Sequence, residues 1–374
     1  MKIWLLAVVL AACGAARAQW EIESSGTTAD LRGIDNVGGG AAWASGTNGT
    51  VLRTEDGGYL WQACAVPPGA EHLDFRGIQA FDANTAIVMS SGKGDLSRLY
   101  KTTDGCQTWK LVFTNPDKDG FWDAVAWDTV NKTIYILGDP VNGYFRLFSQ
   151  VGEANRFTSK LPEENTSVMK GKQISAAPAE SAFASSNSAL LLHSWSGPVA
   201  FVTGGRKPEF ILYIPDILAQ GSTYSDWNRA PLPLAHGLSS GAFSVATSPK
   251  AVGSDGRANQ PIIVVGGDYA HPDAASGNAA VSYDTGLNFE TPDTPPHGYR
   301  SAVAYDAASK TWITVGPNGT DISTDDGKNW RALRPDPALH EAPDADRNWN
   351  ALSLPFVVGP HGRIGKLNSK ALRH

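Results

Sequence analysis

Four eight-residue segments share one frame, Ser/Thr-x-Asp-x-Gly-x-x-aromatic. They are TEDGGYLW (Thr54 to Trp61), TTDGCQTW (Thr102 to Trp109), SYDTGLNF (Ser282 to Phe289) and STDDGKNW (Ser323 to Trp330), with Cys106 in place of the glycine in the second. The frame is hairpin-turn chemistry: the aspartate accepts backbone N–H bonds, glycine supplies a positive φ, and the ring packs back on the hairpin. Such carboxylates are used up capping their own turns. Asp56, Asp104, Asp284 and Asp325 are therefore read as structural and assigned no chemistry.

An alternating apolar strand, a Gly-rich turn and a second strand precede each frame, as in AAWASGTNGTVLRT before Asp56 and TWITVGPNGTDIST before Asp325. Short strands at regular spacing predict repeated antiparallel sheets. The composition agrees: with 42% hydrophobic residues, 18% charged residues, 39 Gly and 23 Pro, the chain is neither disordered nor a coiled coil nor collagen-like. A net charge of −6 without basic runs argues against nucleic acid as a partner.

These segments resemble the Asp-box (BNR-repeat) β-propellers, and the VGxNG turn followed by strand, box and Trp is most similar to the photosystem II stability/assembly factor-like subgroup. The resemblance spans the chain from residue 19 onward. Terminal aromatics at Trp61, Trp109, a degenerate Phe157, a degenerate Trp227, Phe289 and Trp330 mark six blades. The C-terminal WNALSLPFVVGPHGRIGKLN repeats the first three strands of a blade, and Trp20-Glu-Ile-Glu resembles a fourth. The expected fold is thus all-β, a seven-bladed propeller of four-stranded antiparallel blades closed by the N-terminal strand, with Trp20 paired near Arg363 to Leu367. Spacings of 41 to 48 residues between most markers widen to 70 and 62 before Trp227 and Phe289. Insertions in blades four and five are expected there, around Glu163 to Ser188 and Pro249 to Gln260.

The resemblance implies a channel mouth ringed by Arg32, Arg76, Trp122, Arg300 and Trp349, all placed by aligning first strands. Guanidiniums hold carboxylates and indoles stack on sugars or peptides. Alternatively, Asp30 and Asp74, two residues before Arg32 and Arg76, pair with these arginines at home. Turns on the same face bring Asp139, Asp268, Tyr269, His271 and Asp321 near. Two functions follow. The first is a binding or assembly module for a protein, carbohydrate or other acidic ligand, with no enzymatic activity. The alternative is a secreted glycoside hydrolase, sialidase-like or glucanase-like, with Asp139 and Asp268 as its candidate carboxylates. Arg32-Gly-Ile stands where sialidases carry Tyr/Phe-Arg-Ile-Pro. No metal or cofactor motif is present, and a monomer is expected.

The first eighteen residues, with Lys2, an apolar run from Ile3 to Ala12 and small residues after it, read as a signal peptide. Cleavage after Ala16-Arg17-Ala18 leaves Gln19 first and the propeller domain at 19–374. In the second reading, Leu10-Ala11-Ala12-Cys13 is a lipobox that makes Cys13 a membrane anchor. Both readings place the chain in the periplasm or outside the cell. There Cys64 and Cys106 are either a disulfide or two buried thiols.

Overall fold

The computed structural model describes residues 19–151, 174–192, 199–213, 227–248, 260–368 and 372. Within them the strands form seven antiparallel sheets, with short 3-10 turns at Gly94–Leu96 and Pro337–Leu339. The innermost strands of successive sheets are neighbours in a ring: Leu31–Gly38, Phe75–Ala80, Trp122–Asp128, Leu190–Leu192, Gly237–Thr247, Ala302–Asp306, Ala351–Ser353, and back to Leu31–Gly38. The chain is a seven-bladed β-propeller.

Blades 1, 2, 4, 6 and 7 have four strands each. Blade 3 has three described strands, and the expected marker Phe157 lies outside the described residues. In blade 5 the fourth strand shrinks to a bridge between Val281 and Glu290. Its inner strand also carries a small added ladder made by Glu180–Ser181 and Gly204–Gly205. Most of the stretch 249–260, expected as an insertion, lies outside the described residues.

Apolar side chains from facing sheets interlock to form the core. One cluster between blades 7 and 1 joins Leu31, Ala42 and Trp61 to Phe356 and Ile364. Another, between blades 5 and 6, joins Ile263 and Val281 to Trp312 and Trp330. Each sheet buries both faces this way, so second strands such as Ala41–Gly46 and Thr311–Gly316, expected to alternate, are buried at every residue. Every blade therefore packs against two neighbours.

The N-terminal strand closes the ring. Trp20–Glu23 pairs antiparallel with Ile364–Leu367, Trp20 opposite Leu367 and Glu23 opposite Ile364. The Trp20 ring packs 5.8 Å from Trp349 in the cluster between blades 6 and 7. This removes the open edge that a linear array would expose. A second tie is the Cys64–Cys106 disulfide, Cα atoms 5.3 Å apart, which joins the outer edge of blade 1 to the box turn of blade 2. Cys106 occupies the box glycine position at φ 65°, a left-handed conformation that L side chains adopt reluctantly.

All four boxes share one bonding pattern. The leading hydroxyl of Thr54, Thr102, Ser282 or Ser323 donates to the aspartate at 2.8–2.9 Å and accepts the N–H of the residue four positions on. The aspartate accepts the N–H of Leu60, Thr108, Asn288 or Asn329. Thr108, Asn288 and Asn329 add a side-chain bond to the second oxygen. The Thr108 side-chain and backbone bonds, with that from Thr102, lower the Asp104 carboxyl to about 2.

Two predictions follow from the fold. Trp20→Ala removes a buried indole from the closure and should lower unfolding free energy by about 3–5 kcal/mol in urea melts; an unchanged midpoint would mean that the ring does not need this strand. Asp104 is ionised in the folded chain at pH values where the unfolded carboxyl is protonated, so its stabilising contribution is complete above about pH 4 and disappears as pH falls towards 2. Asp104→Asn should therefore flatten the acid limb of the stability curve in that window and leave the slope above pH 5 unchanged.

Candidate functional site

The mouth is organised by a β-bulge, repeated on the inner strands of the blades. Leu31 pairs with Gly46 and Gly33 with Ser45, which leaves Arg32 unpaired and turned towards the channel. Arg76 is the extra residue between Phe75 and Gly77, Asp123 between Trp122 and Ala124, and Phe243 between Ala242 and Ser244. In blades 6 and 7 the N–H groups of Ser301 and Asn350 donate to the carbonyls of Val315 and Val358, which are already the partners of Ala302 and Ala351. A bulge re-aims one side chain against the alternation of its strand. Here it delivers six such side chains to a single cavity of about 490 Å³.

The residue before each bulge turns the other way. Leu31, Phe75, Trp122, Ala242, Arg300 and Trp349 are all buried. Their partners in the second strand are mostly glycines, because a Cβ at Gly46, Gly138, Gly266, Gly316 or Gly359 would sit within 2.7 Å of a backbone carbonyl oxygen of the incoming strand.

This register separates the expected ring residues. Arg32 and Arg76 line the cavity, partly exposed, and Asp74 lies between them. Arg32 Nε is 3.1 Å from Asp74 Oδ1 and 4.0 Å separates its Nη2 from Asp30. Arg76 Nε donates to Asp74 Oδ2 at 2.8 Å, and its Nη1 donates to the Ala184 carbonyl. Cavity lining and ion pairing therefore coexist, Arg76 with its own Asp74 and Arg32 more closely with Asp74 of the next blade than with Asp30. Trp122 and Arg300, by contrast, do not reach the mouth. The Trp122 indole is fully buried against Phe113 and Phe148. Arg300 is 1% exposed and held by Asp321, Asn318 and the Tyr299 carbonyl. Trp349 borders the cavity, yet its ring is buried between Trp20 and the Arg363 guanidinium. Aligning Arg300 with Arg32 is a slip of one residue, and in a strand such a slip exchanges the two faces. Ser301, Asp123 and Asn350 hold the positions equivalent to Arg32.

The carboxylates sort in the same way. Asp321 is consumed by Arg300 and His297. Asp268 caps its own turn, accepting from Ala270 N–H and pairing with His271 Nδ1 at 2.8 Å, and the His271 bond is the main influence that lowers its carboxyl. Asp139 lines the cavity, where burial raises its carboxyl to about 6 against the opposing Ala182 N–H bond. Beside it is Asp123, 1% exposed. Burial and then the Asp139 charge hold Asp123 well above the usual carboxylate range, against the attraction of Arg76.

An aromatic wall completes the mouth. Phe183 stacks on Phe243 with ring centroids 4.1 Å apart, and Tyr299 and Tyr269 meet Phe243 edge-on at 4.9 and 6.0 Å. Phe183 sits on the segment that precedes blade 4, whose anchors are the Asp139 bond to Ala182 N–H and buried Glu180, bonded to Thr203 and Arg229. Around the mouth the order is cationic at blades 1 and 2, acidic at blade 3, aromatic at blades 5 and 6, and amide at blade 7. Asp123, Phe183, Phe243, Tyr299 and Asn350 are absent from the sequence-based ring. Anchoring the alignment on the glycines that end the second strands would have brought Asp123, Ser301 and Asn350 into it.

No protein-family model matches the sequence, and no curated protein matches it. Solved structures of similar architecture include YCF48 bound to D1 peptide, at 17% identity over 93% of this chain and 96% of that one, with TM-score 0.59. The GH74 xyloglucanase from Xanthomonas campestris is similar at 15% identity over 95% of this chain and 54% of that one, TM-score 0.57. The extracellular domain of BT4673 from B. thetaiotaomicron aligns at 12% identity over 93% of this chain and 40% of that one, also TM-score 0.57. At these identities the likeness establishes the propeller fold alone.

The raised carboxyls make a stability prediction. Between the ordinary aspartate value of 3.8 and about 6, folded Asp139 keeps a proton that the unfolded chain has lost, so stability falls as pH rises through that window. Asp123 acts in the same sense, as does Asp35, which burial also raises to about 6. Asp139→Asn preserves an acceptor for Ala182 N–H and removes the titration. Urea melts at pH 4.5 and 7.5 should show a smaller loss of stability for the variant than for the wild type; equal losses would show that Asp139 does not titrate in this window.

Proposed function

We propose that this chain is an exported binding module whose mouth captures a peptide segment of a partner protein, one that presents an acidic group beside an apolar or aromatic side chain. The observation that carries the reading is the Arg32–Asp74–Arg76 ladder facing the Phe183/Phe243/Tyr269 wall across one cavity. Each guanidinium carries five N–H donors, and Arg32 and Arg76 spend only part of theirs on Asp74, Asp30 and the Ala184 carbonyl, so donors remain at the rim for a further acceptor. A guanidinium fork takes a carboxylate, and a ring wall takes an apolar side chain. The YCF48 structure with a D1 peptide supports a peptide as the ligand. The Cys64–Cys106 disulfide supports an oxidising compartment.

A hydrolase is the second reading, and its supporting observation is Asp139, a cavity carboxyl raised to about 6 as a general acid requires. Asp268, its expected companion, is tied to its own turn. On this reading Asp139→Asn removes turnover of a xyloglucan or sialoside substrate.

The binding reading is tested with a peptide array on the mature protein, followed by calorimetry on the best acidic sequence. Arg32→Gln and Arg76→Gln should each weaken that peptide by about 1.5–3 kcal/mol and reduce the salt dependence of binding. Arg300→Gln should instead lower the melting temperature, since it strands Asp321 in the core. Affinity unchanged in both mouth variants would refute the reading.

A further inference from the structure

The Asp123–Asp139 pair is the part of the mouth that capture of an acidic group leaves unused. Two carboxyls line one cavity beside Arg76, and they are not a balanced ion pair. Arg76 directs its Nε and Nη1 to Asp74 and to the Ala184 carbonyl. Asp139 receives one backbone N–H, from Ala182. The Oδ2 of Asp123 is buried without any hydrogen-bond partner. A carboxylate oxygen stranded in this way costs free energy, and the bulge between Trp122 and Ala124 is what turns this side chain out of the sheet towards the cavity. A buried acceptor left unsatisfied calls for a donor, and one that enters the cavity can supply it.

We infer that Asp123 and Asp139 form a receptor for an ammonium group, that of a lysine side chain in the captured peptide, so that the mouth reads a basic and an acidic residue together. This inference rests on the binding reading above and adds the second half of its ligand. An ammonium carries three donors and no acceptor. That number serves the free Asp123 Oδ2 and the oxygens of Asp139 together, and its charge offsets the repulsion between the two carboxylates. The remaining ionisable groups around the cavity are Arg32, Arg76, Asp74, Tyr269 and Tyr299. Burial moves Tyr299 further from ionisation, and the guanidiniums keep their charge. Asp139, raised to about 6 by burial, gains its charge as pH rises towards neutrality, and burial with the Asp139 charge raises Asp123 in the same sense.

Titration calorimetry with four synthetic peptides tests this on the whole mature protein. The parent carries Glu and Lys; the others replace Lys by norleucine, replace Glu by Gln, or keep norleucine inside the chain and offer only a free α-amino group. The lysine peptide should bind about ten- to a hundredfold more tightly than the norleucine peptide at pH 7.5, and the ratio should shrink at pH 5, where the pair holds its protons. At pH 6 the lysine peptide should release about one proton, read from enthalpies in buffers of different ionisation heat. Asp123→Asn and Asp139→Asn should each erase the preference for lysine over norleucine. Equal affinity of the lysine and norleucine peptides, with no proton release, overturns the inference while leaving glutamate recognition by Arg32 and Arg76 intact. Loss of affinity on Glu→Gln is the separate mark of that underlying reading. If the free α-amino group restores tight binding and lysine does not, the ligand is a chain terminus and the lysine assignment is wrong.

Discussion

One extra residue at the mouth end of the inner strands sets the division between core and channel. Without the bulge, strand alternation would place Arg32, Arg76 and Asp123 on a sheet face packed against a neighbouring blade, where an unmatched charge is costly. With it, the preceding residue is buried and the bulged one faces the cavity. Arg300 shows the cost of a charge on the inward side of that switch: it needs Asp321, Asn318 and a backbone carbonyl to be accommodated. The bulges hold their places because each inner strand is wedged between two others in a ring that Trp20–Glu23 closes. A precise mouth and a closed ring are in this sense one property.

The architecture was readable because its signals are local. Each box lies within eight residues and its bonds run between neighbours in sequence, so four copies could be seen without knowing any long-range contact. The closing strand was readable for the same reason, as Trp20-Glu-Ile-Glu carries the mark of a fourth strand and the stretch from Trp349 to Asn368 repeats the other three. The pairing of Cys64 with Cys106 was open, since two cysteines 42 positions apart approach each other only through the packing of two blades.

The site was legible in part. Arg32 and Arg76 sit in closely matching contexts, Leu-Arg-Gly-Ile and Phe-Arg-Gly-Ile, and the structure brings them together. Tyr-Arg-Ser-Ala offered a third arginine that matches by residue type and not by register. Bulges add a residue without altering the apolar pattern on either side, so periodicity cannot locate them. Their occupants, Arg, Arg, Asp, Phe, Ser and Asn, share no chemistry that would betray a common position. The glycines of the second strands do share one, because a backbone carbonyl approaches each of them too closely for a side chain. The aromatic wall was hidden for another reason: Phe183 belongs to no repeat and reaches the mouth through bonds from Asp139 and Glu180, which only the folded chain brings near.

The central claim is that one mouth, built by these bulges, is where a partner segment binds. Hydrogen–deuterium exchange on the protein with and without its selected peptide tests it most directly, because it locates the ligand with no assumption about which side chain matters. Binding at the mouth predicts added protection confined to residues 31–33, 74–77, 121–124, 181–185, 268–271, 299–301 and 349–350, with the outer strands and the four boxes unchanged. Protection on the outer strands, or at the blade 7 closure and not at the mouth, would contradict it.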